Sequence, residues 1–171
     1  YDEDSGEFSL SPEQAAVFAR EEEPTCIQGL IQGVVGQFVK EEVAVDVFKT
    51  GRGRPWGEHH ECCFCGTERF FRPAYAGHLL SEWIPALEGV EAKLKAGAKV
   101  ADIGCGLGTS SLLMAEQFPN STIHAYDFHG PSIEEAKRRG LEKGLTNVEF
   151  FVSDAASVSR EGYDLACIFD A

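Results

Sequence analysis

Between Val100 and Thr109 the chain reads VADIGCGLGT, an apolar strand pattern running into a turn with glycines at 104, 106 and 108. Glycine carries no Cβ, so such a turn can be tight and its backbone can approach a ligand closely. The helix that follows, from Thr109 or Ser110, aims its unpaired N–H groups at the same crevice. Asp102 stands two residues ahead of Gly104, a position awkward for a pyrophosphate and suited to an ammonium group. A second apolar strand ends at Asp127, where a carboxylate can accept both hydroxyls of a ribose. A third ends at Ser153, Asp154 and Ala155, beside the place an adenine would occupy. In open α/β folds ligands bind at the carboxyl edge of the sheet, where these strand ends meet. A dinucleotide fingerprint would put a sixth-position glycine where Thr109 stands, which disfavours a nicotinamide cofactor. Cys105 lies between two of the glycines, and its backbone N–H matters more to this turn than its thiol.

Other residues with chemical potential are less convergent. His59, His60, Cys62, Cys63 and Cys65 place five soft ligands within seven residues. Zinc ligands generally come as two separated pairs, and no second pair follows. The reading is therefore a flexible connection with incidental thiols and no metal. Trp56, Phe70, Phe71, Arg72 and Tyr75 either form a lid whose aromatic faces meet a cation or simply pack a helical segment onto a sheet. His129, just past Asp127, reads as a loop-packing or cofactor-edge residue rather than a base, and His78 as a structural residue in a helical pattern.

The elements that must position these groups follow from periodicity. From Lys99 onward short apolar strands alternate with helices: strands at 99–105, 122–127, 147–153 and 163–169, helices at 110–118 and from Ser132, where Ser132 and Glu135 resemble a capping box. Strands alternating with helices imply a parallel sheet covered on both faces. Upstream the texture is helical. Residues 1–10 read as the end of a hairpin turning at Asp4, Ser5 and Gly6. A helix begins at Ser11-Pro12 and runs to about Glu22. A second covers 26–49, with Ile27, Leu30, Ile31, Val34, Val35, Phe38 and Val39 on one face; its Gly29, Gly33 and Gly36 are tolerable if another backbone packs closely there, for core packing or a subunit contact. Residues 50–67 read as a connection, and 74–95 as helix with a break at Pro85. The expected division is thus 1–10, the end of a wing; 11–96, a helical segment and linker; and 97–171, the ligand-binding half of an α/β domain.

Composition narrows the class. The chain has 171 residues, 43% hydrophobic and 25% charged, an ordinary globular balance. A net charge of −13 argues against a nucleic-acid surface, since phosphate binding needs clustered Lys and Arg. No apolar run approaches the roughly 18 residues that span a bilayer. The six cysteines show no disulfide framework, and the expected compartment is the cytoplasm. With no initiator Met and an end just past an apolar strand, the chain reads as a fragment of a longer protein.

The stretches VADIGCGLGTSS, IHAYDF, VEFFVSDAA and YDLACIFDA resemble, in order and spacing, the consecutive cofactor motifs of class I S-adenosylmethionine-dependent methyltransferases. The resemblance covers about 97–171 and implies a Rossmann-like fold of which only the first four parallel strands are visible, with the fourth as an edge. It places Asp102, Gly104, Cys105, Gly106 and Gly108 around the amino-acid part of the cofactor. It places Asp127 on the ribose, Phe128 against the adenine, Ser153, Asp154 and Ala155 near the adenine amino group, and Phe169 near the reactive end. Trp56, Phe70, Arg72 and Tyr75 become candidates for the acceptor side or lid. GTERFFRPAYAGHLLSEWIPAL is similar to a subgroup in which a winged-helix domain precedes the methyltransferase. The function implied is methyl transfer to a small molecule, with S-adenosylmethionine as cofactor, a homodimer as a possible assembly, and no nucleic acid or membrane as partner of this segment. The remaining strands would supply much of the acceptor pocket, so these residues alone are expected to be inactive. The alternative is a non-catalytic module that binds the cofactor or its product and regulates an attached winged helix.

Overall fold

The computed structural model describes residues 1–159 and 162–169, which fall into two compact units, Tyr1–Pro73 and Ala74–Ala171. The expected boundary near Gly97 is therefore displaced. The segment before Gly97 packs on the sheet: Leu79, Ile84 and Leu94 share one apolar cluster with Val100, Met114, Phe118, Ile123 and Cys167. Apolar burial of this kind outweighs the change of texture in the sequence.

In the first unit the chain reverses between Asp2 and Glu7 through a single antiparallel bridge, with Asp2 Oδ1 accepting from the backbone N–H groups of Asp4 and Ser5. Helix α1 (Pro12–Phe18) has its reciprocal cap: Ser11 Oγ accepts from Gln14 N–H, and Gln14 Oε1 accepts from Ser11 N–H. It stops at Ala19, short of the expected Glu22. The long helix expected over 26–49 is two, α2 (Gln28–Val39) and α3 (Glu41–Thr50), broken at Lys40. The connection expected over 50–67 becomes helical at α4 (Glu61–Ala74).

The glycines of α2 explain its burial. A Cβ on Gly36 would lie 2.7 Å from Cys63 Sγ, and one on Gly29 would lie 2.7 Å from the Gly66 carbonyl oxygen, so α2 meets α4 backbone to backbone. Close packing by another backbone is the condition under which the sequence tolerates these glycines, and it is met; the apolar stripe is not what the helix buries. The glycine side is buried, while Leu30, Ile31, Val34, Val35 and Phe38 are all exposed.

The second unit begins with a π-helix, Tyr75–Trp83, followed by α5 (Val90–Ala96). Then come β1 (Lys99–Ile103), α6 (Thr109–Gln117), β2 (Thr122–Asp127), α7 (Gly130–Glu142), β3 (Val148–Val152) and β4 (Leu165–Ile168). The sheet is parallel throughout, in the order β3-β2-β1-β4, so successive connections place β1 at the centre. Helix α7 is capped at His129, three residues before the expected Ser132 cap. Ser132 lies inside the helix, buried, with its hydroxyl 2.7 Å from His129 Nδ1. Ile133 and Ala136 of α7 pack with Cys105, Leu112, Ala125 and Phe150 in a second cluster beneath the glycine turn. Asn147 closes the far end, its amide donating to the carbonyls of Ala115, Phe118 and Ser121 at 3.0–3.2 Å. No helix among the described residues is long and apolar enough to cross a membrane.

Candidate functional site

Strand β1 and helix α6 are joined by the turn Gly104–Gly108, whose first two N–H groups both donate to the Tyr126 carbonyl on β2, at 2.8 and 3.0 Å. The turn is thereby pinned to the strand end that carries Asp127. Its glycines do different work. Gly108, at φ 81°, has no room for a side chain: a Cβ there would lie 2.8 Å from the Phe150 ring and 2.9 Å from Ala136 Cβ. It serves the packing of α6 and α7 over β3. Gly106, at φ 54°, has nothing within 4 Å of where a Cβ would project, so its backbone borders open space.

Asp102 ends a strand residue short of the turn and is 1% exposed. Its Oδ2 accepts from Ser110 Oγ at 2.6 Å and Ser111 Oγ at 2.5 Å, both at the first turn of α6. Its Oδ1 is buried and has no hydrogen-bond partner among the described residues. Burial pushes the Asp102 carboxyl above the ordinary range; the two serine hydroxyls pull it back, and the Asp127 charge adds to the rise. A buried polar atom without a partner costs on the order of 1–3 kcal/mol and marks a place prepared for one. The serines are the site residues that periodicity alone does not assign. The signal for them was present in two hydroxyl side chains just past the glycines, eight and nine positions from an acid.

Asp127, 8% exposed at the end of β2, uses both oxygens: Oδ2 accepts from Gly106 N–H at 2.9 Å and Oδ1 from His129 N–H at 2.8 Å. Each oxygen keeps a second lone pair for a ligand. Asp127, bonded to Gly106 within the turn, and Asp102, bonded to the two serines just past it, thus hold the same turn. At the end of β3, Ser153 N–H donates to the Asp127 carbonyl at 2.9 Å, and Asp154 turns its carboxylate to Ser157, accepting from its N–H at 2.8 Å and its hydroxyl at 3.0 Å. Ala155 opens the short 3-10 helix that Asp154 caps. Phe128 is 58% exposed beside this edge. Phe169, one residue past β4, has its ring 5.5 Å from Tyr75. The thiol of Cys105 is buried and pushed up well above its usual range, first by burial and then by Asp102 and Asp127, which leaves it unreactive.

The remaining candidates lie in the first unit and are engaged locally. Trp56 meets Phe64 edge-on at 5.1 Å, Phe70 meets Phe71 at 5.1 Å, and Arg72 pairs with Glu21 at 2.9 Å. His59 Nδ1 is 3.4 Å from Gln37 Nε2, His60 Nδ1 accepts from Cys62 N–H, and Cys63 is buried against α2. The described residues contain no cluster of His, Cys, Asp and Glu arranged to hold a metal ion. A shallow depression lined by Gly97, Lys99, Asn120, Thr122, His124 and Asp164 lies at the amino ends of the strands, the edge opposite the glycine turn.

Comparison with known proteins agrees with this geometry. A family described as a methyltransferase domain matches residues 94–171. The chain is 32% identical over 75 residues, 44% of its own length and 29% of the relative's, to a trans-aconitate 2-methyltransferase of Rhodococcus jostii (strain RHA1). It is 38% identical over 60 residues, 34% of its own length and 27% of the relative's, to the aklanonic acid methyltransferase DauC of Streptomyces sp. (strain C5). The chain thus spans under a third of the length of these curated relatives. Among solved structures, the magnesium protoporphyrin IX methyltransferase of Synechocystis PCC 6803 with bound SAM shares the fold at a TM-score of 0.50 and 18% identity, over 81% of this chain and 62% of that one. Strand order, glycine turn and family match are in accord, and residues 94–171 resemble a Rossmann-like methyltransferase domain.

Proposed function

We propose that the protein transfers a methyl group from S-adenosylmethionine to a small-molecule acceptor, and that residues 94–171 supply the cofactor side of that reaction. The observation that carries this is the buried, unpartnered Asp102 Oδ1 beside a backbone turn that leaves Gly106 open. A cationic amino-acid group fits there, because it brings N–H donors and a positive charge to an atom that lacks both. An anionic pyrophosphate does not fit beside a carboxylate.

When bound, the cofactor supplies an electrophilic methyl group on a sulfonium. The chain's own residues bind and orient. Asp102, held by Ser110 and Ser111, takes the ammonium end, and the open backbone at Gly106 lets the methionyl chain lie close. Asp127 accepts the ribose hydroxyls on lone pairs left after Gly106 and His129. Phe128, Ser153, Asp154 and Ala155 border the adenine, and Cys105 contributes its backbone. An in-line attack on the methyl needs no general base if the acceptor is already nucleophilic, so alignment is the main contribution, worth up to about 7–11 kcal/mol.

Small-molecule acceptors suit an acidic chain better than nucleic acid does, and two curated relatives carry small acids in their names. Calorimetric titration with S-adenosylhomocysteine and with NAD tests the cofactor reading. Micromolar binding of the first and none of the second is expected, and the reverse would sink it. Transfer of labelled methyl from S-adenosylmethionine to a metabolite extract by the full-length protein tests the activity.

A further inference from the structure

A set of aromatic rings gathers at the carboxyl end of β4. Tyr75 and Trp83, the first and last residues of the π-helix, meet edge to face at 6.1 Å. Phe169 lies 5.5 Å from Tyr75 and 6.1 Å from Trp83. The strand register fixes where this set stands: Ile103 pairs with Ile168, so Phe169 lies beside Gly104, the first residue of the cofactor turn. The rings are not consumed by the core. Trp83 is 40% exposed, and Tyr75 and Phe169 are half-buried at its edge. A π-helix is wider than an α-helix and is commonly found at functional positions. Here it brings residues eight apart in sequence to one ring cluster. His78 stacks on Trp83 at 6.3 Å, with Glu82 3.1 Å from its Nδ1.

Resting on the cofactor reading above, we infer that Tyr75, Trp83 and Phe169 form an aromatic wall that recognises the positive charge of the sulfonium. Aromatic faces attract cations through their quadrupole, and they do so without offering a nucleophile that would compete for the methyl group. The chemistry selected is a charged sulfonium over a neutral thioether. The wall therefore favours S-adenosylmethionine over S-adenosylhomocysteine, weakening product inhibition at the point where the two ligands differ.

The test is calorimetric binding of both ligands to the full chain and to Trp83→Leu, Phe169→Leu and Tyr75→Phe. Trp83→Leu and Phe169→Leu should each weaken S-adenosylmethionine by roughly 3- to 30-fold, the span of a cation–π contact, and change S-adenosylhomocysteine less than about twofold. Tyr75→Phe keeps the ring and should leave the ratio of the two affinities unchanged. Trp83 is partly exposed, so its variant keeps the test open if Phe169→Leu loses stability. Equal weakening of both ligands, or of neither, overturns the wall while leaving the cofactor site intact; the second result would place the rings on the acceptor side. Failure of the unsubstituted chain to bind either ligand overturns the cofactor reading and the wall with it.

Discussion

Asp127 illustrates how one side chain is asked to do two things. Its carboxylate already holds the Gly106 and His129 N–H groups, so it shapes the turn before any ligand arrives. Asp127→Ala should therefore weaken S-adenosylhomocysteine by about tenfold to a hundredfold and also lower the melting temperature, since charge-assisted hydrogen bonds are lost on both counts. Calorimetry and a thermal melt on the same preparation check this; a lower melting temperature with unchanged affinity would remove the ribose role. Gly106→Val should abolish binding for a different reason. The φ of 54° strains any β-branched residue, and the open space above the turn is filled. Asp127 and the three glycines were legible in the sequence because strand ends and glycine turns are local patterns. The partition between Gly106 and Gly108 was not, because it depends on Phe150 and Ala136, more than 25 positions away.

At the scale of elements, the helices of the first unit depart most from what periodicity suggests. The apolar stripe of α2 reads as the buried face, yet the glycine rows win because they allow backbone contact with α4. Two substitutions separate these forces. Gly29→Ala puts a Cβ into the Arg69–Phe70 backbone and should destabilise by about 1–3 kcal/mol through overpacking. Gly33→Ala meets nothing within 4 Å and should stabilise by up to about 1 kcal/mol through helix propensity. Paired denaturant titrations report the difference; the same sign for both variants would contradict this account of α2. In the second unit the parallel strands were recoverable from the sequence, and the edge position of β4 from the family resemblance. The π-helix was not, since nothing in the spacing of YAGHLLSEW separates a π turn from an α turn.

For the whole molecule, the charge buried at Asp102 sets a pH dependence. Its pKa is raised on folding, so its contribution to stability is complete below the ordinary carboxylate range and is lost as pH rises through its folded value. Above that value the carboxylate is charged and lacks a cation, which a bound ammonium group supplies. S-adenosylhomocysteine should consequently raise the melting temperature more at a pH above that folded value than at one below it, and Asp102→Asn should erase the difference. Thermal melts with and without ligand at the two pH values check this. An equal shift at both, in the unsubstituted chain, would separate Asp102 from the ammonium. The cysteines offer an independent map of the same burial. Cys65 is exposed and should be alkylated first at pH 8, whereas Cys105 and Cys167, the latter pushed up to about 12 by burial, should stay protected until unfolding. Mass spectrometry of a timed alkylation gives the order.

By itself the sequence determined that this protein has a parallel sheet, a glycine turn after its first strand, and an acid at each of three strand ends. These follow from residues within a few positions of one another, whose backbone preferences and alternation act locally. Only the tertiary structure decided that Asp102 is gripped by two serines through one oxygen and left open at the other. Only it showed that Asp154 faces Ser157, that glycines rather than aliphatic residues bury α2, and that Tyr75, Trp83 and Phe169 converge. Each of these rests on which groups come into contact across the fold, and contact between distant segments is set by packing and by the partner each buried polar atom finds, not by neighbours along the chain.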